Sequence, residues 1–245
     1  MRTLENIRDK FKELSHRLDG ELRDKRFRPD FIARFVVIWT LLSRIPLPRK
    51  LWPESMPEGH RSLALAPLVG AILGLFNGLV VTLAGLSGLN GLASAWIGAA
   101  FYFLAGWALH LDGWGDLWDG IGSGRSGEEL RAIMKDSRLG SFGGASLVLA
   151  FGLWTSALAS IPAGERIAAC VICSASARFS ENIAAFFGEY PWEVGMSKGW
   201  VDDYELYDLF IAFLCTLITI VFAPLHFIVS VIFAALFGYL AAAYM

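Results

Sequence analysis

Residues 63–86 carry no charged side chain over 24 consecutive positions. A helix rises about 1.5 Å per residue and needs roughly 20 apolar residues to cross a bilayer, so this run reads as a transmembrane helix. In lipid each backbone amide must find its partner within the protein, which leaves only helices or a closed barrel. Apolar runs this long and unbroken favour helices. Gly70, Gly74 and Gly78 recur every four residues in the run and form a smooth stripe against which another helix can pack closely.

The composition agrees, with 55% hydrophobic and 18% charged residues and a mean hydropathy of +0.51, too apolar for an ordinary soluble domain. Further apolar runs at about 92–109, 145–161, 167–187, 208–223 and 225–244 bring the expected number of spans to about six. Residues 31–45 form an apolar run interrupted by Arg34 and ended by Arg44-Ile-Pro46-Leu-Pro48. Fifteen residues fall short of a perpendicular crossing, so a re-entrant or interfacial segment competes with a span. Residues 1–30 hold nine Lys or Arg against seven Asp or Glu, with Leu4, Ile7, Phe11, Leu14 and Leu18 spaced by three and four. That pattern predicts an amphipathic helix on the membrane surface or on the protein, a plain soluble helix being the alternative. It has no signal-peptide pattern, so insertion through internal helices is expected. The expected fold is therefore all-α: a polytopic integral membrane helical bundle, with an amphipathic segment at 1–30 and a single membrane-embedded domain over 31–245.

Charge outside the N-terminal segment is concentrated in three long connections, 46–62, 110–144 and 188–207, while those near 86–91, 162–166 and 224–226 are short. If residues 31–45 do not cross, the long connections share one face, and three membrane hairpins present a single polar surface. Its Lys and Arg residues place that face in the cytoplasm by the positive-inside rule. The net charge of −2 is not accompanied by a basic, aromatic-interleaved patch, so no nucleic-acid partner is expected. Cys170, Cys173 and Cys215 all lie in apolar runs and read as small hydrophobes, without the partner cluster that a zinc or redox site would need.

The chemistry-bearing stretch is His110-Leu-Asp112-Gly-Trp-Gly-Asp116-Leu-Trp-Asp119-Gly120, followed by Arg125 and then Lys135-Asp136-Ser137-Arg138. Spacings of four and three put Asp112, Asp116 and Asp119 on one face if 109–120 is helical. Such a run can merely solvate a helix end. Beside an apolar span and Trp114 and Trp118, however, uncompensated anions are costly, and a hard divalent cation is the natural compensation. Mg²⁺, with Mn²⁺ as a substitute, binds through one or two carboxylates plus phosphates and waters. Arg125, Lys135 and Arg138 would supply positive charge for phosphate. His110 could orient a carboxylate or act as a base near neutral pH, or be structural. Within the 167–187 run, Arg178 precedes Glu181 by three residues, either as a structural pair or as an arginine reaching an anionic substrate.

These residues resemble the signature of the cobalamin synthase family, the adenosylcobinamide-GDP ribazoletransferases. Besides the 110–120 stretch and Arg125, the similarity includes Ile133-Met-Lys-Asp-Ser-Arg-Leu-Gly-Ser-Phe-Gly143, Leu42-Ser-Arg44-Ile-Pro46-Leu-Pro48, and Arg61 with Pro67-Leu-Val-Gly70. The resemblance implies a bacterial inner-membrane enzyme of late vitamin B12 biosynthesis that requires Mg²⁺. It implies as substrates adenosylcobinamide-GDP and α-ribazole, or α-ribazole 5′-phosphate, with release of GMP. Metal held by Asp112, Asp116 and Asp119 would clamp the diphosphate. One of these, Asp136 or His110 would activate the attacking hydroxyl, and Lys135, Arg138, Arg125, Arg44, Arg61 and Arg178 would hold phosphate oxygens. A homo-oligomer and association with other cobalamin-assembly enzymes are compatible with the same resemblance.

The similarity departs at the far end, where family members carry a glycine-rich Gly-Gly-x-Thr-Gly-Asp type motif followed by acidic residues. Residues up to Met245 contain nothing of the kind. A shortened or divergent chain is expected, with impaired activity if that motif supplies ligands or closes the pocket. Two rivals compete with the family assignment. Asp116-Leu-Trp-Asp119-Gly120 matches a fragment of the CDP-alcohol phosphotransferase pattern, but the Ala-Arg pair that should follow is absent. A membrane transporter would hold paired acids near the bilayer midplane, whereas these cluster at a helix end.

Overall fold

The computed structural model describes residues 30–54, 57–106, 108–190, 193–195 and 197–244. The amphipathic segment expected before Asp30 lies outside the described residues. Along the chain the helices are α1 (Asp30–Leu42), α2 (Gly59–Leu63), α3 (Ala66–Leu86), α4 (Gly91–Ala105), α5 (Leu109–Ser123), α6 (Gly127–Met134) and α7 (Ser141–Ser160). They continue as α8 (Arg166–Phe187), α9 (Lys198–Val201), α10 (Leu206–Leu217) and α11 (Pro224–Tyr244). No strand occurs among the described residues, so the expected all-helical architecture is the one that forms.

Three helical stretches are long and apolar enough to cross a membrane, Gly59–Leu86, Ser141–Ser160 and Pro224–Ala243. The pair α4 and α5, turned by 95° between Ala105 and Leu109, makes a fourth if it is one broken span. The six expected runs are all helical, but not all are both long and apolar enough to span. The run at 92–109 stops at Ala105, and the run at 208–223 becomes the shorter apolar segment Leu206–Val221. Helix α8 has 22 residues but contains Arg178 and Glu181. The 13-residue α1 stays short of a crossing, as its sequence suggested. Its exit is fixed by the Trp39 indole, which donates to the Ile45 carbonyl at 2.7 Å.

The described chain divides into two compact units. The first comprises the described residues up to Leu75 and from Ala168 onward. Its core joins Phe179 and Ile183 of α8 to Ala212 of α10 and Ala234 of α11, with Leu209, Val231 and Ala235 packed around them. In lipid such faces gain little from leaving water, so close approach of small residues carries the association. The glycine stripe acts in this way. A methyl group on Gly70 would overlap the Ser174 carbonyl, and one on Gly74 the Cys170 carbonyl, so α3 lies directly on the backbone of α8. Helix α10 starts in a capping box in which Asp208 accepts the Glu205 amide at 3.0 Å.

The second unit comprises residues 76–167. Helix α4 is capped by Asn90, whose side chain accepts the Ala93 amide at 2.8 Å. Helix α7 packs against both α4 and α5, and α6 folds back onto α5. Gly120 makes that last contact possible, because a side chain there would meet Leu130 and Met134. The long polar connection 110–144 is therefore mostly helical, and the helix on which the shared face of the three aspartates depended forms as α5. The helix carries its own signal, since Trp114 and Trp118, four residues apart, pack edge to face with ring centroids 5.8 Å apart.

Candidate active site

Helix α5 begins at a strained residue. Ala108 adopts φ 60° and ψ 9°, the only left-handed non-glycine among the described residues, a conformation that costs an alanine about 1–2 kcal/mol. Its carbonyl accepts the Asp112 amide at 2.9 Å and so starts the helix. Asp112 consequently sits in the first turn, where the helix dipole favours a carboxylate.

Asp112 and Asp116 open onto a cavity of about 460 Å³ whose other polar lining comes from Lys135, Asp136, Ser137 and Arg138. Ala108 and Leu139 also line it. Six of the residues predicted from sequence are thus brought to one place or beside it: five line the cavity, and Asp119 lies one turn beyond Asp116 on α5. Asp119 does not line the cavity. Its carboxylate accepts the amides of Gly140 and Gly143 at the start of α7, each at 2.7 Å. His110 is exposed and lies outside the lining. Arg125, also outside it, pairs with Glu129 at 3.2 Å on the surface. The other three predicted arginines belong to the first unit. Arg44 is exposed, Arg61 pairs with Glu58 at 3.3 Å, and the buried Arg178 pairs with Glu181 at 3.6 Å.

Within the cavity wall, Arg138 grips Asp136. Its Nη2 donates to Oδ2 at 2.6 Å and its Nε to Oδ1 at 3.0 Å, which holds the Asp136 carboxyl down at about 2. The pair is exposed, so it orients the segment more than it stabilises the fold. Arg138 keeps a largely exposed guanidinium with further donors for an anion.

Among the described residues no three His, Cys, Asp or Glu side chains are gathered so as to hold a metal ion. Two carboxylates on one cavity, facing a lysine and an arginine, nevertheless match what Mg²⁺ usually takes from a protein when phosphate and water complete its shell. Ala108 and the Gly140 and Gly143 amides were not predicted from sequence. Backbone groups leave no residue-type signal, and the only trace was the spacing Gly140-Ser-Phe-Gly143 at the head of an uncharged run.

Comparison with known proteins bears on what this cavity serves. The chain is 37% identical over 131 residues to an adenosylcobinamide-GDP ribazoletransferase of Rhizobium meliloti, covering 54% of this chain and 49% of the relative. It is 37% identical over 142 residues to that of Bradyrhizobium diazoefficiens, with 56% and 54% covered. For Brucella anthropi the figures are 34% over 152 residues, with 61% and 58% covered. The aligned region therefore spans about half the length of these curated relatives. No solved structure matches the chain. The model of the cobalamin-5-phosphate synthase family matches residues 34–245, nearly the whole of the described structure, and the chain belongs to that family.

Proposed function

We propose that this membrane protein joins α-ribazole, or its 5′-phosphate, to adenosylcobinamide-GDP with release of GMP, a late step in building vitamin B12. The observation that carries the proposal is the cavity in which Asp112 and Asp116 face Lys135 and Arg138, in a chain of the cobalamin-5-phosphate synthase family. A hydroxyl oxygen of α-ribazole attacks the cobinamide-side phosphorus, and the bond from that phosphorus to the bridging oxygen breaks. GMP departs with the bridging oxygen. The hydroxyl proton passes to a base.

Asp112 and Asp116 are the residues that would hold Mg²⁺, with Mn²⁺ as a substitute. When bound, the cation supplies charge neutralisation of the diphosphate and of the leaving phosphate. Lys135 and Arg138 bind the non-bridging oxygens and keep the attacking and leaving oxygens in line. Asp136 is engaged by Arg138 and makes a poor base, which leaves Asp112, Asp116 or His110 for that role. The active face is cytoplasmic and the membrane is the bacterial inner membrane, in keeping with the Lys and Arg of the long connections. Family membership favours this chemistry over the transporter and CDP-alcohol alternatives.

The test uses the full chain in lipid nanodiscs with adenosylcobinamide-GDP, α-ribazole and Mg²⁺. GMP should appear one for one with the cobalamin product. Uptake of substrate into sealed vesicles without chemistry would favour a transporter instead.

A further inference from the structure

We propose that Asp119 is a positioning residue, which holds the 135–138 phosphate-binding segment in place by capping α7 from a neighbouring helix, and is not a ligand facing the cavity. Helix α7 has no cap of its own, because its N-cap residue is Gly140 and no side chain there can accept an amide. The first amides of a helix have no partner within it. Asp119, on α5, accepts the N-cap amide of Gly140 through Oδ2 and the amide of Gly143, three residues on, through Oδ1, both at 2.7 Å. The two bonds are charge-assisted, and they set an anion against the positive end of the α7 dipole.

The glycines are shaped to this use. A methyl group on Gly140 or on Gly143 would overlap the Asp119 carboxylate, and the one on Gly143 would also press on the Gly115 carbonyl. Both positions therefore leave room for the carboxylate to reach the backbone. The segment thus anchored runs from the end of α6 at Met134 to Gly140. Its residues Lys135, Asp136, Ser137 and Arg138 line the cavity. Asp119 fixes the downstream end of that segment, so its loss displaces Lys135 and Arg138 without removing a ligand from the Asp112 and Asp116 side.

The consequence for catalysis rests on the function proposed above, whereas the clasp itself can be tested separately. Wild type, Asp119→Asn, Asp119→Ala, Gly140→Ala and the double variant Asp119→Ala/Gly140→Ala would be compared as full chains in nanodiscs. Amide exchange over 139–144, Mn²⁺ affinity by paramagnetic resonance, and KM and kcat for adenosylcobinamide-GDP would be measured. Asp119→Ala should speed exchange at Gly140 and Gly143 by roughly tenfold or more as that end opens locally. Asp119→Asn, which keeps one acceptor oxygen, should fall between Asp119→Ala and wild type. Mn²⁺ affinity should stay within about twofold, and KM should rise about tenfold with a smaller change in kcat. Gly140→Ala, which leaves the carboxylate intact, should give the same changes, and the double variant should be no worse than either single one. If Asp119→Ala fails to fold, Gly140→Ala decides the question alone. Unchanged exchange in the variants, or Mn²⁺ affinity lost in Asp119→Asn while Gly140→Ala behaves as wild type, would overturn the proposal. Absence of GMP from wild type would defeat the reaction proposed above and leave the exchange result to judge the clasp.

Discussion

Arg138 closes on Asp136 through its side chain and its own backbone amide, which donates to Oδ1 at 3.1 Å. With the carboxyl held at about 2 by these bonds, below the ordinary value of about 3.9, the tie is fully present above the ordinary value. It is lost only as pH falls through about 2. Between pH 5 and 8 Asp136 therefore stays ionised and takes up no proton. Asp136→Asn should lower kcat/KM by loosening Arg138, yet leave the acid limb of the pH–rate profile of GMP release where it is in wild type. Disappearance of that limb in the variant would make Asp136 the base.

Asp112 and Asp116 should behave differently. Either one replaced by Asn keeps nearly the same shape and removes one negative charge from the cavity wall. Turnover should fall about 10²–10³-fold, the size of effect seen when one stabilising contact to developing charge is removed. The Mg²⁺ concentration needed for half-maximal rate should rise, while the protein should still insert and elute as wild type. An unchanged Mg²⁺ dependence in both variants would move the metal site elsewhere.

How far the site could be read from sequence depended on whether side chains or backbone do the work. The spacing of Asp112, Asp116 and Asp119 announced a helix, and α5 is that helix. It placed all three acids on one face but could not show that Asp119 turns to amides 21 and 24 residues away, because glycine amides have no side-chain signature. The 95° break before α5 was likewise hidden. Ala108, the residue that starts α5, adopts there a left-handed conformation that alanine disfavours and that a glycine at this position would have flagged. Arg125 was grouped with the phosphate ligands by charge, although Glu129 four residues onward already offered it a partner. The glycine stripe of α3 was legible because there the missing side chain is itself the signal.

That stripe supports a stability prediction with an internal control. Gly74→Ala puts a methyl group into the Cys170 carbonyl and 2.9 Å from the Val171 Cα, both rigid backbone. The unfolding free energy should drop by about 1–3 kcal/mol, as for overpacking elsewhere. Gly85→Ala, on the same helix, would meet only the Ser94 Oγ at 3.7 Å. Alanine is the better helix former by about 1 kcal/mol, so this variant should be neutral or stabilising. Thermal unfolding in one detergent compares the two, and equal losses would mean that the close approach at Gly74 contributes nothing.

The polar connection after α8 is tied down by Tyr204, which is 5% exposed and whose hydroxyl donates to Oδ1 of the fully buried Asn182. Asn182 in turn donates to the Arg178 carbonyl at 2.7 Å, so the phenol completes a short chain of buried bonds. Burial pushes the phenol well above its usual value, and the nearby Asp208 adds to the shift. The hydroxyl therefore remains a donor throughout neutral and mildly alkaline pH. Tyr204→Phe should leave the Asn182 oxygen buried without this donor, at a cost of about 1–3 kcal/mol. Because the tyrosine does not ionise in the range, the loss should be the same at pH 6 and pH 9. Replacing both residues, as Tyr204→Phe with Asn182→Leu, removes the stranded acceptor and should recover part of the loss. Thermal unfolding of the single and double variants in detergent reads both effects. A single variant as stable as wild type would show that Tyr204 holds the connection by packing alone.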